Sequence, residues 1–196
     1  MTPGGFSRQH DRELLDALES HPSEAFSGAA WRVAAKGREA LLGSTAGGRW
    51  SPPGEFEVLY TSLTRAGALA EIGYRLALEP VWPSRLEHEL HGIAVRTDRS
   101  LRFADVSGLS ALGVDVRRYA SFDYLATQAI AAAAFFLDFD GLIVPSARST
   151  DLNLVVFTER LDVGERLKVE ASEAVDWSAW RAQQRTRASR APRAAC

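Results

Sequence analysis

Two closely spaced apolar runs constrain the fold of this chain more than any other feature of its sequence. They read DGLIVPS at residues 140–146 and LNLVVFT at residues 152–158, and their Val, Ile and Leu content predicts two β-strands. Just before them, residues 121–136 predict a helix whose four consecutive alanines fit close packing on both sides. We therefore expect an α+β fold in which helices flank a sheet.

The remaining hydrophobic patterns place further strands and helices along the chain. The predicted strands are 29–34, 56–62, 91–97, 100–106 and 166–169, and the predicted helices are 10–19 and 64–78. Thr64 caps the second helix, and a turn is expected at 97–100. HPSEAFSG at 21–28 is predicted to be a loop, and residues 43–57 form a longer loop punctuated by glycine and proline. A loop this long in a compact domain is often functional.

A length of 196 residues with 46% hydrophobic content supports one core, and no linker divides the chain. We expect an N-terminal helix and loop over residues 1–28, a single domain over 29–175 and an arginine-rich tail over 176–196. The tail has no acid among its arginines, which are Arg181, Arg185, Arg187, Arg190 and Arg193. A solvated, frayed end is expected, and contact with a partner or nucleic acid is the alternative.

Charge and cysteine content bound the location and the partners of the protein. The formal net charge of −2 does not favour direct binding to nucleic acid. The single cysteine, Cys196, excludes an intrachain disulfide, which fits a reducing compartment. The first residues lack the apolar core of a secretory signal, and no stretch approaches the roughly 20 apolar residues that span a bilayer. A cytoplasmic protein without membrane contact is expected.

Several common chemical motifs do not occur in the sequence. It contains no CxxC, no HExxH and no Gly-Lys-Ser/Thr phosphate loop. It also lacks GxGxxG, which disfavours the dinucleotide-binding fold that depends on that turn. His88 and His91 lie three residues apart with Glu87 and Glu89 nearby, which is weakly typical of a metal site. Ordinary surface is the stronger expectation for both histidines, and no metal is expected.

A series of short motifs occurs in a fixed order along the chain. They are Trp31-Arg32, GGRWSPPG at 47–54, LYTS at 59–62 with ALAE at 68–71, TQAI at 127–130, and DGLIVPSAR at 140–148 with NLVVF at 153–157. Together they resemble the RES domain, a family named for an Arg, a Glu and a Ser, over about residues 31–157. The family often has Asn after Gly-Arg-Trp, where this chain has Ser51.

The resemblance implies the toxin half of a bacterial toxin–antitoxin pair, with a single mixed or antiparallel sheet similar to the ADP-ribosyltransferase fold. Characterised members deplete cellular NAD, so NAD would be the substrate, cleaved at the nicotinamide–ribose bond, and no cofactor is required. The implied partner is an antitoxin with an Xre-type helix-turn-helix part that blocks the cleft. Two alternatives stay open: a toxin that transfers ADP-ribose to a protein, and a non-enzymatic binding module.

The resemblance also assigns catalytic positions, to Arg32, Tyr60, Glu71 and Ser146. An arginine in mid-strand normally faces solvent, but its planar fork can also grip a diphosphate. Tyr60 would orient the nicotinamide ring, although a core position with a bonded hydroxyl is commoner for a strand tyrosine. Ser146, at a strand end, would bond the substrate or position Glu71, or would cap a turn.

Glu71 falls where the family has its catalytic glutamate. On a helical wheel it lies nearly opposite the core face of Leu69, Ile72 and Leu76, so an exposed ion pair with Arg75 is the alternative. The nicotinamide of NAD leaves as a neutral group, and no strong general acid is needed. A carboxylate aimed at the ribose supports the positive charge that grows there. The acceptor is water, phosphate or a protein side chain.

Four further positions are expected to bind the substrate: Arg49, Trp50, Ser62 and Gln128. Arg49 lies among the glycines of the long loop and is a second candidate for the diphosphate, or a charge on the loop surface. Trp50 alternatively anchors that loop. Ser62 lies two residues after Tyr60, on the same strand face, and Gln128 belongs to the TQAI motif.

Overall fold

A mixed sheet organises residues 10–190, the part of the chain that the computed structural model describes. Its strands are β1 (Ser23–Ala35), β2 (Val58–Ser62), β3 (His88–Arg102), β4 (Gly141–Pro145), β5 (Leu152–Phe157) and β6 (Leu167–Ala174). Their order across the sheet is β1-β2-β5-β4-β3-β6, and β1 also pairs with β3 along most of its length. The pairing of the first five strands therefore closes on itself. Among the described strands, only β3 and β4 run parallel.

Helices pack against this sheet from several sides. The α-helices are α1 (Arg12–Ser20), α2 (Arg65–Ala77), α3 (Ser107–Ser110), α4 (Leu125–Phe136), α5 (Val163–Arg166) and α6 (Trp177–Arg190), and the 3-10 helices are Val116–Arg118 and Thr158–Arg160. Helices α1 and α4 contact each other, and α2 contacts β1, β2 and β3. The expected single α+β domain, with a mixed sheet and flanking helices, is confirmed.

The two apolar runs of the sequence form β4 and β5, which pair in antiparallel fashion at the centre of the sheet. Alternate side chains of each strand enter two different hydrophobic clusters, and all of β4 is buried. This burial of both faces explains why the runs lack a polar alternation. The alanines at 131–134 of α4 are also buried, because their small side chains let the helix approach the sheet closely.

Helix α2 carries Glu71, and close contacts near the start and along the middle of the helix fix where it lies. Thr64 caps it as predicted, since its hydroxyl accepts a hydrogen bond from the Gly67 backbone N–H at 2.9 Å. A Cβ on Gly67 would lie 2.2 Å from the Ser62 hydroxyl, and a Cβ on Gly73 would lie 2.2 Å from the Trp180 ring. Helix α2 therefore packs tightly against β2 at one end and against α6 along its middle.

Some element boundaries differ from the predictions. The loop expected at 21–28 is wrong, because residues 23–28 extend β1 and pair with the second half of β3. The turn expected at 97–100 is an irregularity inside one long β3, where the Thr97 and Ser100 hydroxyls hydrogen-bond to each other. The helix expected from residue 121 begins at Leu125. In the first two cases the pairing of β1 with β3, rather than the local sequence, decides the structure.

The arginine-rich end and His91 also differ from the expectation. The chain is helical up to Arg190 in α6, so the frayed ending expected from Arg181 is wrong for this part; Arg193 lies outside the described residues. His91 is 4% exposed, and its Nδ1 lies 2.7 Å from the Ser172 hydroxyl, so it is not a surface residue. His88 accepts a hydrogen bond from the Trp177 indole, which anchors the start of α6.

The close approach of β5 to Gly141 allows the pairing of β4 with β5 to be tested. A Cβ at this position would lie 2.3 Å from the backbone oxygen of Val155, which a strand in the middle of the sheet cannot move easily. We expect Gly141→Ala to lower the free energy of unfolding by about 1–3 kcal/mol, measured by urea denaturation. The control is Gly108→Ala, whose Cβ would have its nearest contact at 3.9 Å. Equal midpoints for the two variants would contradict the packing at Gly141.

Candidate active site

A cleft of about 510 Å³ opens beside α2, between strands β1 and β2 and the long loop 43–57. The predicted site residues that line it are Arg32, Arg49, Trp50, Tyr60, Ser62 and Glu71. Arg38, Arg75 and Arg148 line it as well, so Glu71 is the only acid among the described residues of its wall. The cleft therefore combines one carboxylate with a strongly cationic surround, which favours an anionic ligand.

The Glu71 carboxylate is held by two hydrogen bonds from the sheet. Its Oε1 accepts from the Ser146 hydroxyl at 2.6 Å and from the Asn153 amide at 2.9 Å. Within the described part of the chain no ion pair joins Glu71 to Arg75, so the exposed pair considered for this helix is not formed. Both bonds fall on one oxygen, and Oε2 has no donor among the described residues.

Ser146 makes two of the three contacts considered for it, the bond to Glu71 and the cap of a turn, and its contact with the substrate stays a prediction. Its hydroxyl donates to Glu71 while it accepts from the backbone N–H of Arg148 at 3.0 Å and of Ser149 at 3.1 Å. The turn that follows β4 thus fixes the hydroxyl, and the hydroxyl fixes the carboxylate. Ser146 is 7% exposed, so it supports Glu71 from within the protein.

Asn153 is a site residue to which the sequence analysis gave no role. It pairs with Ser62 of β2 and with Val144 of β4, which places it at the end of the sheet under Glu71. Its Oδ1 is buried and has no hydrogen-bond partner in the part of the protein that the structure describes. A signal was present in the sequence, because an asparagine inside the apolar run LNLVVF must find a polar partner when it is buried.

Arg32 extends from β1 to the residues that directly precede the long loop. One of its terminal nitrogens donates to the backbone oxygens of Ala40 at 3.1 Å and Leu42 at 2.8 Å. Burial, with the nearby Arg38 as a second cause, lowers the pKa of Arg32 to about 10, so it stays cationic at neutral pH. Its described partners are neutral, and its remaining N–H groups can serve an anion in the cleft.

Tyr60 supports the glycine-rich loop through its hydroxyl. This hydroxyl accepts from the Trp50 backbone N–H at 2.9 Å and donates to the Ser51 hydroxyl at 3.2 Å. Burial raises the pKa of Tyr60 above its ordinary value. A Cβ on Gly48 would lie 2.7 Å from this hydroxyl, which explains the glycine there. The bonded hydroxyl matches the alternative considered for Tyr60, while its side chain still lines the cleft.

Three residues expected to bind substrate also make contacts within the protein. Trp50 is 2% exposed and belongs to the core. The Gln128 amide donates to the backbone oxygen of Gly48 at 2.8 Å, and Gln128 is not among the described residues that line the cleft. The Ser62 hydroxyl donates to the Leu152 backbone oxygen at 3.3 Å. These contacts show how the loop and the strand ends are fixed, and the substrate contacts of all three stay predictions.

Residues 119–124, which we call the aromatic segment, close one side of the cleft. The Arg49 guanidinium lies 4.7 Å from the ring centres of both Tyr119 and Tyr124 and donates to the Ser121 backbone oxygen at 3.0 Å. Burial lowers the pKa of Arg49, and burial raises that of Tyr119. No signal in the sequence points to these tyrosines, because their segment carries no motif and gives no local indication of a contact with residue 49.

Fold and cleft together define a class: an α+β protein with an arginine-lined ligand site around one hydrogen-bonded carboxylate. Residues 29–182 match the model of the RES domain family, and the chain belongs to this family. No described helix is long and apolar enough to cross a membrane.

Two curated relatives and one solved structure are similar to this chain. The NAD(+) phosphorylase MbcT of Mycobacterium tuberculosis is 24% identical over 161 residues, which cover 79% of this chain and 87% of the relative. The probable NAD(+) phosphorylase Rv3189 of the same species is 31% identical over 138 residues, which cover 69% of this chain and 66% of the relative. The crystal structure of the M. tuberculosis MbcT–MbcA toxin–antitoxin complex matches with a TM-score of 0.77 at 24% identity, covering 88% of this chain and 97% of that chain.

Removing only the hydroxyl of Tyr60 tests its contribution separately from that of the ring. Tyr60→Phe leaves the ring in the cleft but removes the acceptor of the Trp50 backbone N–H. We expect a loss of about 1–3 kcal/mol in unfolding free energy, because that N–H is left unpaired in a buried place. Urea denaturation measures it, with Tyr74→Phe as the control, since no hydrogen bond of its hydroxyl holds the loop. An unchanged stability would show that the hydroxyl does not anchor the loop.

Proposed function

We propose that this protein cleaves NAD at the bond between nicotinamide and ribose and that it is the toxin of a toxin–antitoxin pair. One observation carries the proposal: the Glu71 carboxylate is fixed by Ser146 and Asn153 in a cleft whose wall also holds five arginines. NAD offers complementary charges to both features. Its diphosphate is a dianion, and its ribose becomes cationic as the nicotinamide leaves.

Arg32 is the group that would hold the diphosphate. Its guanidinium is oriented by two loop carbonyls and has further N–H groups in the fork geometry that suits phosphate oxygens. The ring of Tyr60, which also lines the cleft, would orient the nicotinamide. Arg32 belongs to β1 and Tyr60 to β2, so binding would hold the dinucleotide against these two strands.

Glu71 would stabilise the transition state. As the bond between ribose carbon 1 and nicotinamide breaks, its electron pair goes to the ring nitrogen, and nicotinamide leaves neutral. Positive charge then grows on the ribose, and a fixed carboxylate with one unpaired oxygen interacts with it more strongly than with the ground state. Ser146 and Asn153 would keep the carboxylate in place, so that little reorganisation accompanies the reaction.

The acceptor that we favour is inorganic phosphate. Two relatives of this chain are named as a NAD(+) phosphorylase and a probable NAD(+) phosphorylase, and the excess of arginine in the cleft suits a second anion. Water and a protein side chain are the alternatives. They give different products: ADP-ribose with water, its 1″-phosphate with phosphate, and a modified protein with a side chain.

An antitoxin is the proposed partner. The solved structure similar to this chain is described as a toxin–antitoxin complex. In this chain Phe122 lines the cleft with 60% exposure, and Leu125 beside it is 80% exposed, which gives a partner apolar contacts at the mouth. We propose an antitoxin with an Xre-type helix-turn-helix part, which would supply any contact with DNA, and a cytoplasmic site of action.

The main test replaces the charge of Glu71 without changing its shape. Glu71→Gln should lower the rate of NAD cleavage by about 100-fold or more, because the amide cannot stabilise the cationic ribose. Nicotinamide release from NAD is measured on the purified proteins, and growth and NAD content are measured in cells after induction. The wild type should lower growth and NAD content, and Glu71→Gln should lower neither.

Glu170→Gln is the matched control, since Glu170 is exposed on β6, away from the cleft. This variant should be as active and as toxic as the wild type. Toxicity of Glu71→Gln equal to that of the wild type would favour a non-enzymatic binding module. If a protein gained the mass of an ADP-ribosyl group and neither free ADP-ribose nor its phosphate were formed, the result would instead favour a protein ADP-ribosyltransferase.

A second test concerns the orientation of the carboxylate. Ser146→Ala removes one of the two donors to Glu71, a bond to a charged group worth about 1.5–3 kcal/mol. We expect kcat for NAD cleavage to fall roughly 10- to 100-fold, with little change of the KM for NAD. Ser149→Ala is the control, since its hydroxyl has no bond to Glu71. A change of KM alone would show that Ser146 acts on binding and does not orient Glu71.

A further inference from the structure

A second arginine, Arg148, lies on the aromatic segment beside Arg49. Its guanidinium lies 3.7 Å from the centre of the Tyr74 ring and 5.5 Å from that of Phe122. It donates to the Ala120 backbone oxygen at 2.9 Å, while Arg49 donates to the oxygen of the next residue, Ser121. The carbonyls of two consecutive residues therefore hold both guanidinium groups at the same side of the cleft.

Within the described part of the chain, no carboxylate forms an ion pair with either of these arginines. Arg49 and Arg148 each donate one described hydrogen bond to a backbone oxygen. A guanidinium has five N–H groups, so most of the donors of both side chains remain for a ligand. Aromatic rings and backbone carbonyls hold the two guanidinium groups close together, and both groups line the cleft. Such a pair is suited to an anion with several oxygens.

We propose that Arg49 and Arg148 form the subsite for inorganic phosphate, the acceptor of the ribosyl group. This inference rests on the proposed cleavage of NAD and assigns the second anion of that reaction to particular side chains. Arg32 lies apart from this pair, bonded to the loop at Ala40 and Leu42, and serves the diphosphate. The cleft would then hold two anions at two separate arginine groups.

The connection to Glu71 places the phosphate near the reacting carbon. Ser146 accepts from the backbone N–H of Arg148 with the same hydroxyl that donates to Glu71. Arg49 and Arg148 also line the same cleft as Glu71. A phosphate on the pair would therefore lie next to the carboxylate, and the two guanidinium groups would offset the repulsion between these negative groups.

The step balances with hydrogenphosphate as the nucleophile. A lone pair of a phosphate oxygen forms the new bond to ribose carbon 1, and the electron pair of the old bond leaves with the nicotinamide nitrogen. The proton stays on the phosphate ester, and the nicotinamide ring becomes neutral. The products are nicotinamide and ADP-ribose 1″-phosphate, and no oxidant or further reactant is required.

Arg148→Ala tests the subsite, with initial rates of nicotinamide release measured against phosphate at saturating NAD and against NAD at saturating phosphate. We expect the KM for phosphate to rise at least about 10-fold, because charge-assisted bonds to the anion are lost. The KM for NAD should change less than about 3-fold. Arg148→Lys, which keeps the charge but loses the fork, should give an intermediate KM for phosphate.

Arg117→Ala is the control for overall charge, because Arg117 is exposed and lies outside the cleft. Its KM for phosphate should equal that of the wild type. An unchanged KM for phosphate in Arg148→Ala, or a matching rise of the KM for NAD, would overturn the proposal. In the first case Arg148 does not bind phosphate, and in the second it belongs to the NAD site or to the shape of the whole cleft.

Direct titration of the proteins with inorganic phosphate, by calorimetry without NAD, separates this inference from the proposed function. Binding to the wild type that is lost in Arg148→Ala would support the subsite, even if no NAD were cleaved. Cleavage of NAD by a wild type that neither binds phosphate nor responds to it would overturn the subsite and leave the proposed cleavage intact, with water as the acceptor.

Discussion

The hydrogen bonds that Ser146 and Asn153 donate to Glu71 are the interaction on which the cleft depends. They join three elements that are distant in sequence: helix α2, the turn after β4, and strand β5. Ser146 directly follows β4, which is buried along its whole length, and Asn153 belongs to β5, which is buried from Leu154 onward, so the donors cannot move without disturbing the core. The helix is equally constrained, because Gly67 and Gly73 let it approach Ser62 and the Trp180 ring. The carboxylate is therefore positioned by the packing of the whole sheet.

The arginines of the cleft show a second constraint, which is electrostatic. Elsewhere on the protein, arginines pair with carboxylates, as Arg65 does with Glu173 and Arg166 does with Asp98. In the cleft, Arg32, Arg49 and Arg148 are instead held by backbone oxygens and aromatic rings. Rings and carbonyls stabilise a partly desolvated cation without cancelling its net charge. The positive potential therefore remains available to a ligand, which an ion pair in the same place would prevent.

The parts of this molecule that the sequence predicts are those that local interactions decide. The strands β4 and β5, the start of α2 at its Thr64 cap and the helical alanines of α4 all have local signals, and all are present. The pairing of residues 23–28 with β3 has no such signal, because all of these residues except Phe26 are exposed and most are polar or small. The stacking of Arg49 between Tyr119 and Tyr124 was likewise beyond prediction, since it joins residues about 70 positions apart.

The contacts of Trp50, Tyr60 and Gln128 explain why a long glycine-rich loop can form one wall of a site. A free loop of this length would have to lose its conformational freedom whenever a ligand bound, and that loss would weaken binding. Here the Tyr60 hydroxyl and the Gln128 amide bond the backbone at Gly48, Trp50 and Ser51, and the Trp50 ring is inserted into the core. Most of the ordering thus occurs on folding. Arg49, which follows Gly48 directly, is held in place before any ligand enters, so binding energy is not consumed in forming the wall.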